Sequence, residues 1–221
     1  VLLIITPIQL FTAYLLYLKI PCHKYIRTMT FLPYVLSTSI VGFFALLLFD
    51  GNMGVLNTII KALFGRSHTQ SWLGDPKLMF PIFVLIVIWQ CASSGTMIFF
   101  ADMQSISSDI VEASVVDGCG EWRRFFSIIL PNMRASLVTN ITLSVIYAMT
   151  MFGLPYVLVG TSGGVNNRLD FIAMVFYRYA FGGTYYGTTD IGFGSAISVV
   201  MLIIILTAWL VTNHFLKRIR D

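Results

Sequence analysis

The sequence predicts an all-α, polytopic transmembrane helix bundle of about five spans, with a helix-turn-helix loop on the cytoplasmic side. Three observations carry this. The 221 residues are 57% hydrophobic and only 11% charged, with a mean hydropathy of +0.83, whereas soluble domains run near a quarter charged. The apolar residues gather into runs close to the roughly 20 residues that cross a bilayer. The cations are distributed unevenly between the stretches that separate those runs.

The runs lie at about 1–18, 28–49, 79–101, 135–158 and 192–213. The whole of 1–221 reads as one transmembrane domain. Pro7, Pro33, Pro81 and Pro155 fall in or near the runs, with Gly42, Gly95 and Gly153, as membrane helices tolerate. Ser37, Thr38, Ser39, Ser93, Ser94 and Thr96 are small and polar. Helix–helix packing accounts for them more simply than a polar path. The stretches 19–27, 102–134 and 214–221 hold nine cations: Lys19, Lys24, Arg27, Arg123, Arg124, Arg134, Lys217, Arg218 and Arg220. The opposite stretches, 50–78 and 159–191, hold five: Lys61, Arg66, Lys77, Arg168 and Arg178. The positive-inside rule makes the first group cytoplasmic. Residue 1 is then at the outer surface, inside an apolar run and without an initiating Met. The expectation is a chain lacking an N-terminal piece, with six or more spans in the full protein.

Residues 112–131, EASVVDGCGEWRRFFSIILP, stand out as a charged island between apolar runs. Asp109 with Glu112 three residues later has the form of a capping box, and Gly118 suits a left-handed helix end. A second short helix is expected from Glu121, with Trp122, Phe125 and Ile129 on one face and Pro131 closing or bending it. From the residues alone, this hairpin rests on lipid or docks another protein.

The island resembles the EAA loop of binding-protein-dependent ABC importer permeases. Glu112, Ala113 and Ser114 are followed after three residues by Gly118, and after nine more by Ile128, Leu130 and Pro131. Ser114 replaces the usual second Ala, and Ser107 stands where such permeases usually carry Pro. RTMTFLP at 27–33, GVLN at 54–57, WLGDP at 72–76 and TSGGVNNRLDFIAMVFYRYAF at 161–181 resemble the sugar-type branch, near the maltose and glycerol-phosphate permeases. Val165 departs from the Pro usual after the Gly-Gly pair.

The resemblance implies a multi-pass subunit of a prokaryotic inner or plasma membrane that imports a carbohydrate, whether oligosaccharide, sugar or polyol derivative. Its implied partners are a second permease subunit of different sequence, two ATP-binding subunits and an extracellular solute-binding protein. The loop 102–134 becomes the coupling element, with Glu112, Ala113, Ser114, Asp117 and Gly118 as the docking turn. Ile128, Leu130 and Pro131 would anchor it to the next span. No enzymatic activity and no cofactor are expected of this chain; ATP and Mg would be held by the partner subunits. In keeping with that, no G-x-x-x-x-G-K-[ST] phosphate loop occurs.

Asn140, Ser144, Tyr147 and Met151 recur along one helical stripe. Amide and phenol groups suit sugar hydroxyls, so this stripe is the candidate solute path, with plain helix packing as the alternative. YRYAFGGTYYG at 177–187 reads as an interfacial aromatic belt, or as a contact for the binding protein. His23, His68 and His214 are scattered, as are Cys22, Cys91 and Cys119, a pattern that argues against a metal site or a disulfide framework. An ion- or proton-driven transporter is the competing class. Asp50, Asp75, Asp170 and Asp190 all fall near span ends rather than deep within spans, which disfavours it. Nothing points to nucleic acid.

Overall fold

The structure, a computed structural model, describes residues 2–65, 69–182 and 189–220, with side chains from 3 to 214. The helices in chain order are α1 (Leu2–Tyr17), α2 (His23–Val35), α3 (Thr38–Phe49), α4 (Val55–Phe64), α5 (Pro76–Ser105) and α6 (Ser108–Val116). Then come α7 (Glu121–Arg124), a π-turn at Phe125–Ile129, α8 (Leu130–Asn132), α9 (Arg134–Thr150), α10 (Gly153–Val159), α11 (Ile172–Phe181) and α12 (Ile191–Arg220). Among the described residues, three stretches are long and apolar enough to cross a membrane as they stand: Pro76–Ser105, Arg134–Ser162 and Ile191–His214. They contain the expected spans 79–101, 135–158 and 192–213.

The expected span 28–49 is not one rod. It divides into α2 and α3, bent by 98° at a short break. The physical cause is at Ser37, whose hydroxyl accepts the Ile40 N–H at 3.3 Å and starts α3 afresh as an N-cap. The packing role expected of Ser37 gives way to this capping role. Within Arg134–Ser162 the helix breaks between Thr150 and Gly153. Pro155 then falls in the first turn of α10, where its missing N–H costs nothing.

Two compact units make up the chain: 1–34, 91–145 and 207–221 form the first, and 35–90 with 146–206 form the second. In the first unit α1 buries Ile5, Gln9, Ala13 and Leu16, a stripe at helical spacing. Ala13 and Tyr14 join Phe99 and Met103 of α5, Phe125, Ile129 and Met133 in one apolar cluster. Ser93, Gly95 and Thr96 are buried on α5, as helix packing requires of small residues. Thr142 Oγ1 donates to Thr212 Oγ1 at 3.0 Å and ties α9 to α12.

In the second unit α3 packs on α10, with Val41, Gly42 and Ala45 buried on one side and Leu154, Pro155 and Leu158 on the other. A Cβ at Gly42 would stand 2.7 Å from Val157 Cγ1, so this crossing depends on a missing side chain. The connection after α3 is held by Asn57, which is fully buried. Its Nδ2 donates to the Gly51 and Gln70 carbonyls at 2.7 and 2.8 Å, and its Oδ1 accepts from Trp72 Nε1 at 3.0 Å. Asp50 Oδ1 accepts the Met53 and Asn52 N–H groups, and these bonds hold its carboxyl below the usual carboxylate range. Met79, Ile82, Phe83, Ile86 and Val87 supply the buried face of α5, and Phe83 meets Phe171 at 5.1 Å.

Gly42→Leu forces a branched side chain into that α3–α10 contact. It is expected to destabilise the protein by about 1–3 kcal/mol, read as a lower thermal midpoint in nanodiscs. Ser39→Leu, at an exposed position of the same helix, should leave the midpoint within about 0.5 kcal/mol.

Candidate functional site

The island 102–134 folds as two short helices around a glycine corner. The first, α6, is capped two residues before the Asp109 that the sequence suggests. Ser107, not Asp109, is the N-cap: its Oγ accepts the Asp109 N–H at 3.2 Å. Asp109 instead lies in the first turn, where its charge favours the helix N-terminus. Glu112 is exposed mid-helix and closes no capping box.

The other end of α6 is a Schellman motif. The Cys119 N–H donates to the Ser114 carbonyl at 2.9 Å and the Gly118 N–H to the Val115 carbonyl at 3.0 Å, with Gly118 at φ +72°. No atom comes within 4 Å of the position a Gly118 Cβ would take. The corner is therefore open to the outside, and glycine is needed for its backbone conformation alone. Glu112, Ala113, Asp117 and Gly118 are all exposed around it; Ser114 is buried, and its hydroxyl donates to the Val111 carbonyl at 2.6 Å. Val116 is 87% exposed beside them. The surface is thus acidic and apolar together. Arg124 braces the corner from behind, its Nη2 donating to the Cys119 carbonyl at 3.1 Å.

The second helix is irregular. Pro131 has no N–H and cannot sit in an unbroken α-helix without displacing the carbonyl four residues back. The chain widens instead into the π-turn Phe125–Ile129, with the Leu130 N–H bonded to the Phe125 carbonyl. Asn132 Nδ2 then donates to the Ile128 carbonyl at 2.7 Å. Phe125 and Ile129, four residues apart, still share a face across the wider turn, and both are buried in one cluster with Tyr14, Phe99 and Met103. Trp122 is left to one side and is 64% exposed, so the expected shared face of Trp122, Phe125 and Ile129 holds for the last two only. Leu130 packs partly on the same cluster, while Ile128 and Pro131 are half-buried. Ile129 and Tyr14 were not singled out from sequence as anchors. Tyr14 fastens the loop twice, through its ring 4.7 Å from Phe125 and its hydroxyl donating to the Glu121 carbonyl at 3.1 Å.

The solute-path stripe divides. Asn140 is buried, and its Nδ2 donates to Gln9 Oε1 at 2.9 Å. Ser144 is half-buried, Tyr147 is exposed and Met151 is buried. Asn140 and Ser144 belong to the first compact unit, Tyr147 and Met151 to the second. Beyond Met151, Phe152, Tyr156, Tyr177 and Phe181 form a chain of ring contacts at 4.7–5.6 Å. The belt expected at 177–187 can be followed to Gly182; its remainder, like His68, lies outside the described residues.

The 161–170 loop is locked by Arg178. Its Nη2 donates to Asp170 Oδ2 at 2.7 Å and its Nη1 to the Thr161 carbonyl at 3.0 Å. Gly163 and Gly164 take φ values of +75° and +79°, and the turn continues through Asn166 and Asn167, both at +53°. Asparagine accepts that conformation more readily than most residues, so the loop turns without a proline at Val165.

The sequence profile of the family described as "Binding-protein-dependent transport system inner membrane component" matches residues 5–221. The probable ABC transporter permease protein YurN of Bacillus subtilis is 29% identical over 87% of this chain and 64% of its own length. The sulfoquinovosyl glycerol transport system permease protein SmoG of Agrobacterium fabrum is 30% identical, with 88% and 59% covered. The trehalose/maltose transport system permease protein MalF of Thermococcus litoralis is 30% identical, with 82% and 58% covered. The chain thus spans about three fifths of the length of these curated relatives. Among solved structures, a chain of a bacterial alginate ABC transporter, crystallised with its alginate pentasaccharide-bound periplasmic protein, superposes with a TM-score of 0.84. The identity there is 22%, over 99% of this chain and 74% of that one.

Ile129→Ala is expected to cost about 2–5 kcal/mol, as a cavity in a packed cluster does, and to lower the thermal midpoint in nanodiscs. Trp122→Ala, at an exposed site, should change it by no more than about 0.5 kcal/mol.

Proposed function

This chain belongs to the family of binding-protein-dependent transport system inner membrane components, and from that premise we propose that it is a permease subunit of an ABC importer for a carbohydrate. The reading places it in a prokaryotic inner or plasma membrane beside a second permease subunit of different sequence. Two ATP-binding subunits engage it from the cytoplasm, and an extracellular solute-binding protein delivers an oligosaccharide, sugar or polyol derivative. The chain itself is not an enzyme; ATP and Mg are held by the ATP-binding subunits. The similarity to SmoG, of a sulfoquinovosyl glycerol transport system, and to MalF, of a trehalose/maltose transport system, supports the solute class.

The single observation that carries the mechanism is the open corner at Gly118, mounted on a buried base. Hydrolysis in another polypeptide must move this subunit, so force has to cross through something that protrudes and does not yield. Short helices transmit displacement as rigid bodies. Glu112, Ala113, Asp117 and Gly118 present the exposed surface that enters a cleft of the ATPase, with Ser114 packed beneath it. Phe125, Ile129 and Leu130 carry the motion into the spans, and Ile128 and Pro131 shape the exit into α9. The candidate solute-path residues on α9, Ser144 and Tyr147, carry hydroxyl and aromatic groups of the kind that suit a sugar. Asn140 and Met151, the other two candidates, are buried.

Gly118→Pro tests this reading, because proline fixes φ near −65° where the corner takes +72°. In the assembled transporter it is expected to release the ATPase subunits on co-purification or to abolish ATP-driven sugar uptake into proteoliposomes. Uptake that continues with no ATPase bound would instead assign the chain to the ion-driven carriers.

A further inference from the structure

Gln9 is the one amide side chain in the apolar run 1–18, and it is buried, with a relative exposure of 1%. It touches two other helices at once. Its Nε2 donates to the Cys91 carbonyl of α5 at 2.9 Å, and its Oε1 accepts the Asn140 Nδ2 of α9 at 2.9 Å. Thr96 Oγ1 returns a bond to the Gln9 carbonyl at 3.3 Å. The meeting point is made possible by Gly95. A Cβ there would fall on the Gln9 side-chain amide and 2.6 Å from Asn140 Oδ1.

We propose that this amide clamp, Gln9–Asn140 seated on Gly95, fixes α1, the later part of α5 and the early part of α9 in one register. The 102–134 loop and these three helices then move as a single body when the loop is displaced. The inference rests on the reading of the chain as an ATP-driven importer subunit. It assigns Gln9 and Gly95 as positioning residues for transport.

Three features of the first compact unit argue for it. The clamp joins the elements that seat the loop: α1 through Tyr14, α5 through Phe99 and Met103, and α9 through Met133, the residue that leads into it. A second tie holds α5 to α9 nearer the loop, where Ser136 Oγ donates to Asp102 Oδ2. Sliding one helix along another would therefore break bonds at two levels. Finally, apolar side chains alone would hold the helices together without fixing their offset, whereas a buried polar pair specifies register. In an apolar surround an amide separated from its partner is left unsatisfied, so the clamp resists intermediate positions.

Two measurements test this on the complete transporter in nanodiscs or proteoliposomes, once the wild type shows ATP-coupled uptake. Absence of coupled uptake in the wild type would count against the importer reading itself, not against the clamp. The first compares ATP hydrolysed per sugar imported. Gly95→Ala and Gln9→Leu should retain binding-protein-stimulated hydrolysis while ATP consumed per sugar rises roughly fivefold or more, the scale at which coupling networks respond to mutation. An unchanged ratio, with both rates at wild-type level or both reduced together, overturns the proposal.

The second measurement needs no change at the clamp. Spin labels at the exposed positions Phe11→Cys and Leu143→Cys, with the native cysteines replaced, report the distance from α1 to α9. That distance should agree within about 2 Å between the nucleotide-free and ATP-bound states, because the two helices travel together. A change on the order of 5 Å, one helical turn, contradicts it even if the clamp variants fail to fold.

Discussion

Phe125 and Ile129 are sunk between Tyr14 of α1 and Phe99 and Met103 of α5, and on that contact the rest of the site depends. The corner at Gly118 is exposed, with no atom within 4 Å of the position a Cβ would take there. Its position relative to the spans is set from below, by two apolar side chains and the bond from Tyr14 to the Glu121 carbonyl. Removing a large buried side chain from such a cluster costs several kcal/mol, whereas each helix–helix hydrogen bond in a membrane is worth only about 0.6 kcal/mol on average. Apolar burial therefore holds the loop in place, and the polar ties fix which offset between the helices is adopted.

Pro131 explains why the base of the loop is a π-turn rather than a plain helix. Proline removes one ladder bond and crowds a carbonyl. The Asn132 side chain and the wider turn re-satisfy the groups so released. Phe125 and Ile129 keep a common buried face across that turn. At the corner of the loop, Gly118 stops α6, so the second short helix lies between the two irregular residues. The 161–170 loop follows the same logic with an ion pair: Arg178 and Asp170 hold a turn that two glycines and two asparagines allow.

Much of this was legible in the sequence. The spans within α5, α9 and α12 followed from apolar length, because hydropathy over some twenty residues leaves few alternatives. Gly118 as the helix end followed from its lack of a Cβ, and the spacing from Glu112 to Pro131 located the loop. Other features were hidden for identifiable reasons. The bend at Ser37 was missed because a serine reads equally as a cap and as a small packing residue. Trp122 was placed on the buried face because helical spacing takes no account of a π-turn. Asn140 was read as facing a solute, since its partner Gln9 lies 131 residues away in sequence. The signal that could have found the pair was Gln9 itself, a lone amide in an apolar run, which needs a partner once it is buried.

The most direct test of the proposed docking is hydrogen–deuterium exchange on this subunit, with the proposed sister permease, before and after the proposed ATP-binding subunits are added. The account predicts that amides of 108–120 become protected on assembly, while those of 125–133, already buried at the base, change little. Unchanged exchange across 108–120 in a complex that nonetheless forms would contradict it, and would move the point of force transfer to another part of the chain.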